Sequence, residues 1–177
     1  MSFIGEVNEG TTYNPGYFLA HEECVRETRT IPATGAMVTT TDDGAKYVKM
    51  GTVFPANDGT AEGIVYEDVD VATGAMPGSV VTKGVVYESR LPQAEDSYSS
   101  ATVPSGGNPA ELGLYERSGS AGSYVYTLTT DTTATESKTY YQYDGKVIPS
   151  ATKTALTAKG FVFKTETTVT RPFPVSE

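Results

Sequence analysis

His21-Glu22-Glu23-Cys24 is the one place in the chain where an imidazole, carboxylates and a thiol lie together. A zinc-protease helix needs a second histidine four positions after the first, and Val25 stands there. A zinc site would need further Cys or His ligands, and the chain has one of each. Glu67, Asp68, Asp70 and Thr73 could offer oxygens to a hard cation, but Ala72 breaks the spacing of a calcium loop. On a strand, Asp68 and Asp70 share a face, which reads as an acidic edge that discourages strand addition. Nucleophilic catalysis needs a general base, and the only histidine sits in an irregular N-terminal stretch, so no Ser-His-Asp set can be assembled. Gly106-Gly107 lacks the Lys and Ser/Thr of a phosphate loop. No spacing singles out a catalytic pair among the 22 acidic residues. The sequence therefore predicts no catalytic residue, no metal site and no cofactor, and the protein is not expected to be an enzyme.

What remains is aromatic. Tyr115, Tyr124, Tyr126, Tyr140, Tyr141 and Tyr143 fall on three predicted strands, where an aromatic face can stack on sugar rings or anchor a protein interface. A unit this small must also use large side chains as core, and one Tyr face is expected to serve that end. The six tyrosines form the candidate outward ligand face, with a host-surface glycan as its candidate ligand.

The composition narrows the partners. Hydrophobic content of 38% and charged content of 20% are those of a globular chain, and 177 residues suffice for one domain with a small inserted module. The net charge is −9 with scattered Lys and Arg, so a phosphate backbone would be repelled on average and nucleic acid is not expected as a partner. One cysteine rules out an intrachain disulfide. No apolar run approaches a membrane span, so no membrane partner is expected. Met1 to Val7 show no basic segment or signal-length apolar stretch, which predicts synthesis in a cytoplasm without a cleaved leader.

Along the chain, residues 1–35 read as an irregular arm that becomes ordered by lying on the protein's own sheet or on a partner's. Asn14-Pro15-Gly16-Tyr17 signals a turn, Ile31-Pro32 disfavours helix, and the apolar cluster is Tyr17-Phe18-Leu19-Ala20. From Ala36, β-branched runs alternate with Gly-bearing turns. Met37–Thr41 and Ala45–Lys49 flank Asp42-Asp43-Gly44, and Thr52–Phe54 and Gly63–Tyr66 flank Asn57-Asp58-Gly59. Pro77-Gly78 reads as a turn before the strands Ser79–Thr82 and Val85–Tyr87. Gln93 to Asn108 reads as a Ser/Pro/Gly-rich linker, followed by the Tyr strands. Near the end, Ser150 caps a short predicted helix with an Ala151, Ala155, Ala158 stripe beside Leu156. Gly160 stops it, and the strand Phe161–Lys164 follows. The fold expected is mainly all-β, a small β-sandwich or β-barrel-like base with one short helix, plus a small three-stranded inserted β module.

These segments carry a resemblance. Gly51-Thr52-Val53, then Asp58-Gly59-Thr60-Ala61-Glu62-Gly63-Ile64, then Gly84-Val85-Val86 leading to Leu91-Pro92 resemble in order the head decoration (head fibre, capsid cement) proteins of tailed bacteriophages. That family is distantly like the phage lambda decoration protein. There, a helix and strand similar to Ala155-Leu156 through Gly160-Phe161-Val162-Phe163 follow the Leu-Pro directly. Here the intervening stretch carries Asn108-Pro109, Gly113, Tyr115, then Tyr126-Thr127-Leu128-Thr129, Asp131-Thr132 and Lys138-Thr139-Tyr140-Tyr141. It resembles a module of structural proteins in phages of gut bacteria. The organisation implied is an arm (1–35), a discontinuous base (36–92 and 147–177) and an inserted linker and Tyr-rich module (93–146). The resemblance implies a non-enzymatic virion protein on the capsid exterior that stabilises an expanded head. Its partner would be the major capsid protein and its assembly a homotrimer. The arm would grip the capsid, with Tyr17, Phe18 and Leu19 as the capsid-binding anchors. The alternative is a host- or glycan-binding head-fibre or tail protein that acts through the Tyr-rich module.

Overall fold

Thr, Val and Tyr favour the pleated backbone, and most of the regular structure among the described residues is short strands. The structure is a computed structural model and describes residues 14–121 and 123–165. The chain divides into two units: a base, formed by the residues up to Ala94 and from Ile148 onward, and an inserted unit, Glu95–Val147. In chain order the base holds β1 (Val25–Ile31), β2 (Val38–Thr40), β3 (Lys46–Val48), β4 (Val53–Phe54), β5 (Gly63–Val65), β6 (Val69–Asp70), β7 (Met76–Lys83) and β8 (Val85–Tyr87). The inserted unit adds β9 (Glu95–Ala101), β10 (Tyr115–Ser118), β11 (Val125–Leu128) and β12 (Tyr140–Val147). The base then resumes with α1 (Ser150–Lys159) and β13 (Val162–Lys164).

Within the base, β1-β7-β5-β4 form one antiparallel sheet and β2-β3-β6 a second. The hairpins sit where the acidic turns place them. Gly44 takes φ +86° after Thr41 and Asp43 join side chain to side chain. Asp58 accepts the Thr60 N–H at 2.7 Å and the Thr60 hydroxyl at 2.6 Å, locking the turn between β4 and β5. Gly63 follows because a Cβ there would lie 2.6 Å from Val80 Cγ1. One core joins Phe18, Val53, Ile64, Val81, Val86, Leu91, Ile148, Leu156 and Phe161; a second joins Ile31, Val48, Val65, Val69, Val71 and Val80.

Two expectations for the base need correction, and a third is narrowed. Residues 25–31 are not an irregular arm. They pair with β7 from Val25 opposite Lys83 to Ile31 opposite Met76, and Ile31 is fully buried. Of the two supports open to the arm, the preceding segment takes the protein's own sheet. The Ala20 N–H bonds the Val85 carbonyl, the Tyr87 N–H bonds the Phe18 carbonyl, and Leu19 bridges Val86, so the chain lies along β8. Pro77-Gly78 is strand rather than turn: a Gly78 Cβ would come within 2.6 Å of Ile31 and 2.9 Å of Val69, so close packing selects the glycine.

β13 runs parallel to β8, with Val162 opposite Val85. Parallel neighbours require a crossover, and α1 supplies it. The helix buries Thr152 and Leu156 and leaves Ala151 and Ala158 exposed, so the Ala stripe is not its inner face. Gly160 ends it at φ +99°, its N–H reaching the Leu156 and Thr157 carbonyls. The inserted unit interrupts this same crossover. Gln93 and Ala94 lie on the base side of the junction, because the Gln93 Oε1 accepts the Val53 N–H at 2.7 Å and Ala94 joins the core.

The inserted unit is a four-stranded antiparallel sheet in the order β11-β10-β12-β9. The predicted linker contains β9, which pairs with β12 from Ala101 opposite Tyr140 to Glu95 opposite Val147. The unit thus begins and ends on one pair of strands, which lets it interrupt a crossover without parting the chain ends.

Candidate functional site

Alternation along the strands of the inserted unit puts Tyr98, Tyr115, Tyr126, Tyr141 and Tyr143 on one face, with Arg117, Tyr124 and Leu128 beside them. Their rings form one cluster. Tyr98 stacks on Tyr126 at 4.0 Å between centroids and 6° between planes. Tyr115 lies 5.1 Å and Tyr143 5.3 Å from Tyr98, while Tyr141 meets Tyr126 edge-on at 5.3 Å. Tyr98 and Tyr126 come from the two outer strands of the sheet. For their rings to touch, the sheet must curl and both side chains must lean inward over its centre.

Of the six tyrosines expected on an outward face, five share this face. Tyr140 does not. It is buried on the opposite side and donates its hydroxyl to Asp131 at 2.7 Å. Tyr141 is on the aromatic face yet buried, while Tyr124 is 42% and Tyr143 45% exposed. Tyr98, the ring that joins most of the others, lies in the stretch read as linker. Its signal was the Asp96-to-Ala101 run, whose one large side chain leaves no periodicity to count. Arg117 also escaped notice, as a single cation in a Tyr-rich segment.

Opposite the rings, Lys138 Nζ reaches Asp131 at 2.9 Å and Glu116 at 3.3 Å, and Glu116 also accepts the Thr129 hydroxyl at 2.5 Å. The Lys138 and Tyr140 hydrogen bonds hold the Asp131 carboxyl below its usual range, and Asp131 in turn raises Lys138. Tyr143 donates to Asp96 at 2.9 Å; that hydrogen bond, then burial, pushes its phenol up. Burial, then the Asp96 charge, raises Tyr98.

An open cleft of about 300 Å³ is lined by Glu116, Arg117, Lys138, Thr139 and Tyr141. It exists because the β10–β12 ladder registers only Tyr115 and Glu116, while β10 runs on to Ser118. Beyond Glu116 the strand and residues 138–139 part. Arg117 stands beside the gap with its guanidinium 4.2 Å from the Tyr124 ring and 4.8 Å from the Tyr141 ring, one from each neighbouring strand.

The other sequence candidates scatter. Phe18 is 1% exposed and lies in the base core, so it is not a docking anchor. Leu19 is half-buried against the same core. Tyr17 alone of the three is open, at 52%, under the Arg90 guanidinium at 4.5 Å. Asp68 accepts the Met50 N–H at 2.6 Å and Asp70 the Ala72 N–H at 2.9 Å, so both carboxylates fix backbone. His21 Nε2 lies 3.1 Å from Lys164 Nζ. Among the described residues no group of three or more His, Cys, Asp or Glu could hold a metal ion. Comparison with known proteins finds no family model, no curated protein and no solved structure that matches this chain.

Proposed function

We infer that this chain is a non-enzymatic structural protein of a phage particle, a decoration protein that binds the outside of an expanded capsid and stabilises it. The observation that carries the reading is the way the resemblance-bearing segments assemble. The Asp58 turn, Gly63, Leu91 and the α1–β13 segment, though split in sequence by the inserted unit, meet in one base. A ligand that binds only the mature lattice stabilises it by its binding free energy, and repeated symmetric sites multiply a modest energy per copy. The partner in this reading is the major capsid protein, and the assembly is a homotrimer.

With Phe18 committed to the core, the docking surface passes to what the base leaves open. Tyr17 is exposed, and the Arg90 guanidinium lies 4.5 Å from its ring and 4.3 Å from that of Tyr87, an aromatic–Arg patch of the kind that anchors interfaces. The test is location. Gold-labelled antibody to this chain, applied to phage particles from the culture that makes it, should decorate the whole head. Label confined to the tail, or absent, would overturn the reading. Binding to expanded heads should fall with Tyr17→Ala and persist when the inserted unit is altered at Tyr124.

A further inference from the structure

We propose that the open edge of β11 pairs with the same edge of a second copy of this chain, joining two inserted units into one antiparallel sheet about a two-fold axis at Tyr126. The pairing involves the inserted unit alone and holds whether or not the base docks on a capsid. β11 is an outer strand of its sheet, so among the described residues one side of its backbone has no strand beside it. The ladder shows which groups lie on that side. The Thr129 N–H bonds the Leu114 carbonyl at 2.9 Å and the Val125 carbonyl accepts the Ser118 hydroxyl at 3.4 Å, so the odd-numbered residues turn their backbone toward β10. The N–H and carbonyl groups of Tyr124, Tyr126 and Leu128 therefore point to the open edge.

This edge is unguarded. The other outer strands of four or more residues are β1, with Arg26, Glu27 and Arg29, and β9, with Glu95 and Asp96, and such charges oppose strand addition. From Ser118 to Thr130 the chain has no charged side chain, so the repulsion between copies that a net charge of −9 implies is least here. Tyr124, Val125 and Leu128 are 42%, 56% and 61% exposed, a surface that an added strand would cover. The strand also matches itself. A two-fold axis normal to the sheet at Tyr126 sets Tyr126 opposite Tyr126 of the partner subunit, Tyr124 opposite Leu128 of the partner subunit, and Val125 opposite Thr127 of the partner subunit. The outward backbone groups then meet one another in about six hydrogen bonds. The two most exposed side chains of the aromatic face cover each other, and the two ring clusters adjoin across the seam. An axis one residue further on would leave Tyr124 facing a threonine. A second copy supplies this match by symmetry, which is why it is the occupant. The seam is short, so the pairing is weak between free chains and favoured where copies are held side by side.

The test uses the full-length chain with Cys24→Ser, so that an introduced thiol is the only one. Val125→Cys and Thr127→Cys, both exposed on the face away from the rings, are prepared separately, mixed at up to about 1 mM and oxidised. Opposed residues of this pair lie about 4.5 Å apart at Cα, within disulfide reach. A cross-linked dimer should form in the mixture and not from either variant alone. Leu128→Lys added to both variants should lower the yield about tenfold, because it sets an ammonium toward the guanidinium that covers Tyr124 of the partner subunit. Leu128→Glu removes the same apolar surface but faces that guanidinium with a carboxylate, and should lower the yield less. These side chains are exposed, so circular dichroism of each variant should match the parent. Three outcomes overturn the proposal: no cross-link in the mixture, which would leave the edge to a different partner or to solvent; cross-linking as ready from either variant alone; or equal yields with Leu128, Leu128→Lys and Leu128→Glu.

Discussion

The Glu88 carboxylate accepts the backbone N–H of Ile148 at 2.8 Å, across 60 positions of sequence and from the far side of the inserted unit. Its second oxygen takes Lys153 Nζ at 2.6 Å, on the first turn and a half of α1. One side chain, 7% exposed, therefore ties the end of β8 to the start of the crossover helix and sets where the base resumes.

Glu88→Ala leaves the Ile148 N–H buried without its acceptor, a loss of about 2–3 kcal/mol for a hydrogen bond to a charged group. Lys153→Ala removes an ammonium that is 44% exposed, and the expected loss is under about 1 kcal/mol. In calorimetry of the full chain, the melting temperature should fall far more for the first variant. Equal losses would mean that the ion pair, not the backbone contact, holds the junction.

Phe18→Ala should lower the stability of the base by about 3–5 kcal/mol, because the ring is enclosed by core residues and its removal leaves a cavity. Tyr17→Ala, one position earlier but open to solvent, should cost little. Urea unfolding followed by circular dichroism compares them. An unchanged midpoint for Phe18→Ala would show that residues 14–24 do not fold onto the base.

Thr152 is fully buried on the inner face of α1, and its hydroxyl finds no hydrogen-bond partner among the described residues. Thr152→Val keeps the shape, removes an unsatisfied polar atom, and changes helix propensity little. The expected gain is about 1 kcal/mol, seen as a raised melting temperature of the base. A fall would mean that the hydroxyl is satisfied in solution.

Where the sequence was legible, local chemistry and tertiary packing asked for the same thing. Asp42-Asp43-Gly44 and Asn57-Asp58-Gly59 are turns because Asp side chains bond the backbone just ahead and Gly44 accepts a positive φ. β1 was missed because six of its seven residues are exposed, so Val25-Arg26-Glu27-Thr28-Arg29-Thr30 offers no alternation of apolar and polar. β9 hid for the same reason, with one tyrosine among Ser, Asp and Glu. Gly78 misled because glycine marks both turns and close packing, and only Ile31 and Val69 reveal which. At the candidate site, the strand face of the tyrosines was readable from period two. The cleft was not, because it arises where the β10–β12 ladder stops, and nothing in Lys138-Thr139 announces that parting.

The inserted unit should be most stable between the acid and alkaline ends of its titrations. Asp131 has a folded value below its ordinary one, so its contribution is present above about pH 4 and is lost as pH falls through the folded value. Lys138, Tyr98 and Tyr143 are raised in the folded state, so their contributions are present below their ordinary values and are lost as pH rises through the folded ones. Melting the full chain from about pH 2 to about pH 11 should show the inserted unit's transition fall at both ends. Asp131→Asn keeps the shape, removes the charge that Lys138 and the Tyr140 hydroxyl engage, and should flatten the acid limb while lowering the plateau at neutral pH. Asp144→Asn keeps the amide's ability to accept from Ser99 and serves as the control. An acid limb of the same depth in Asp131→Asn as in the parent would show that other carboxylates govern acid unfolding and that the Asp131–Lys138–Tyr140 contacts do not hold the sheet.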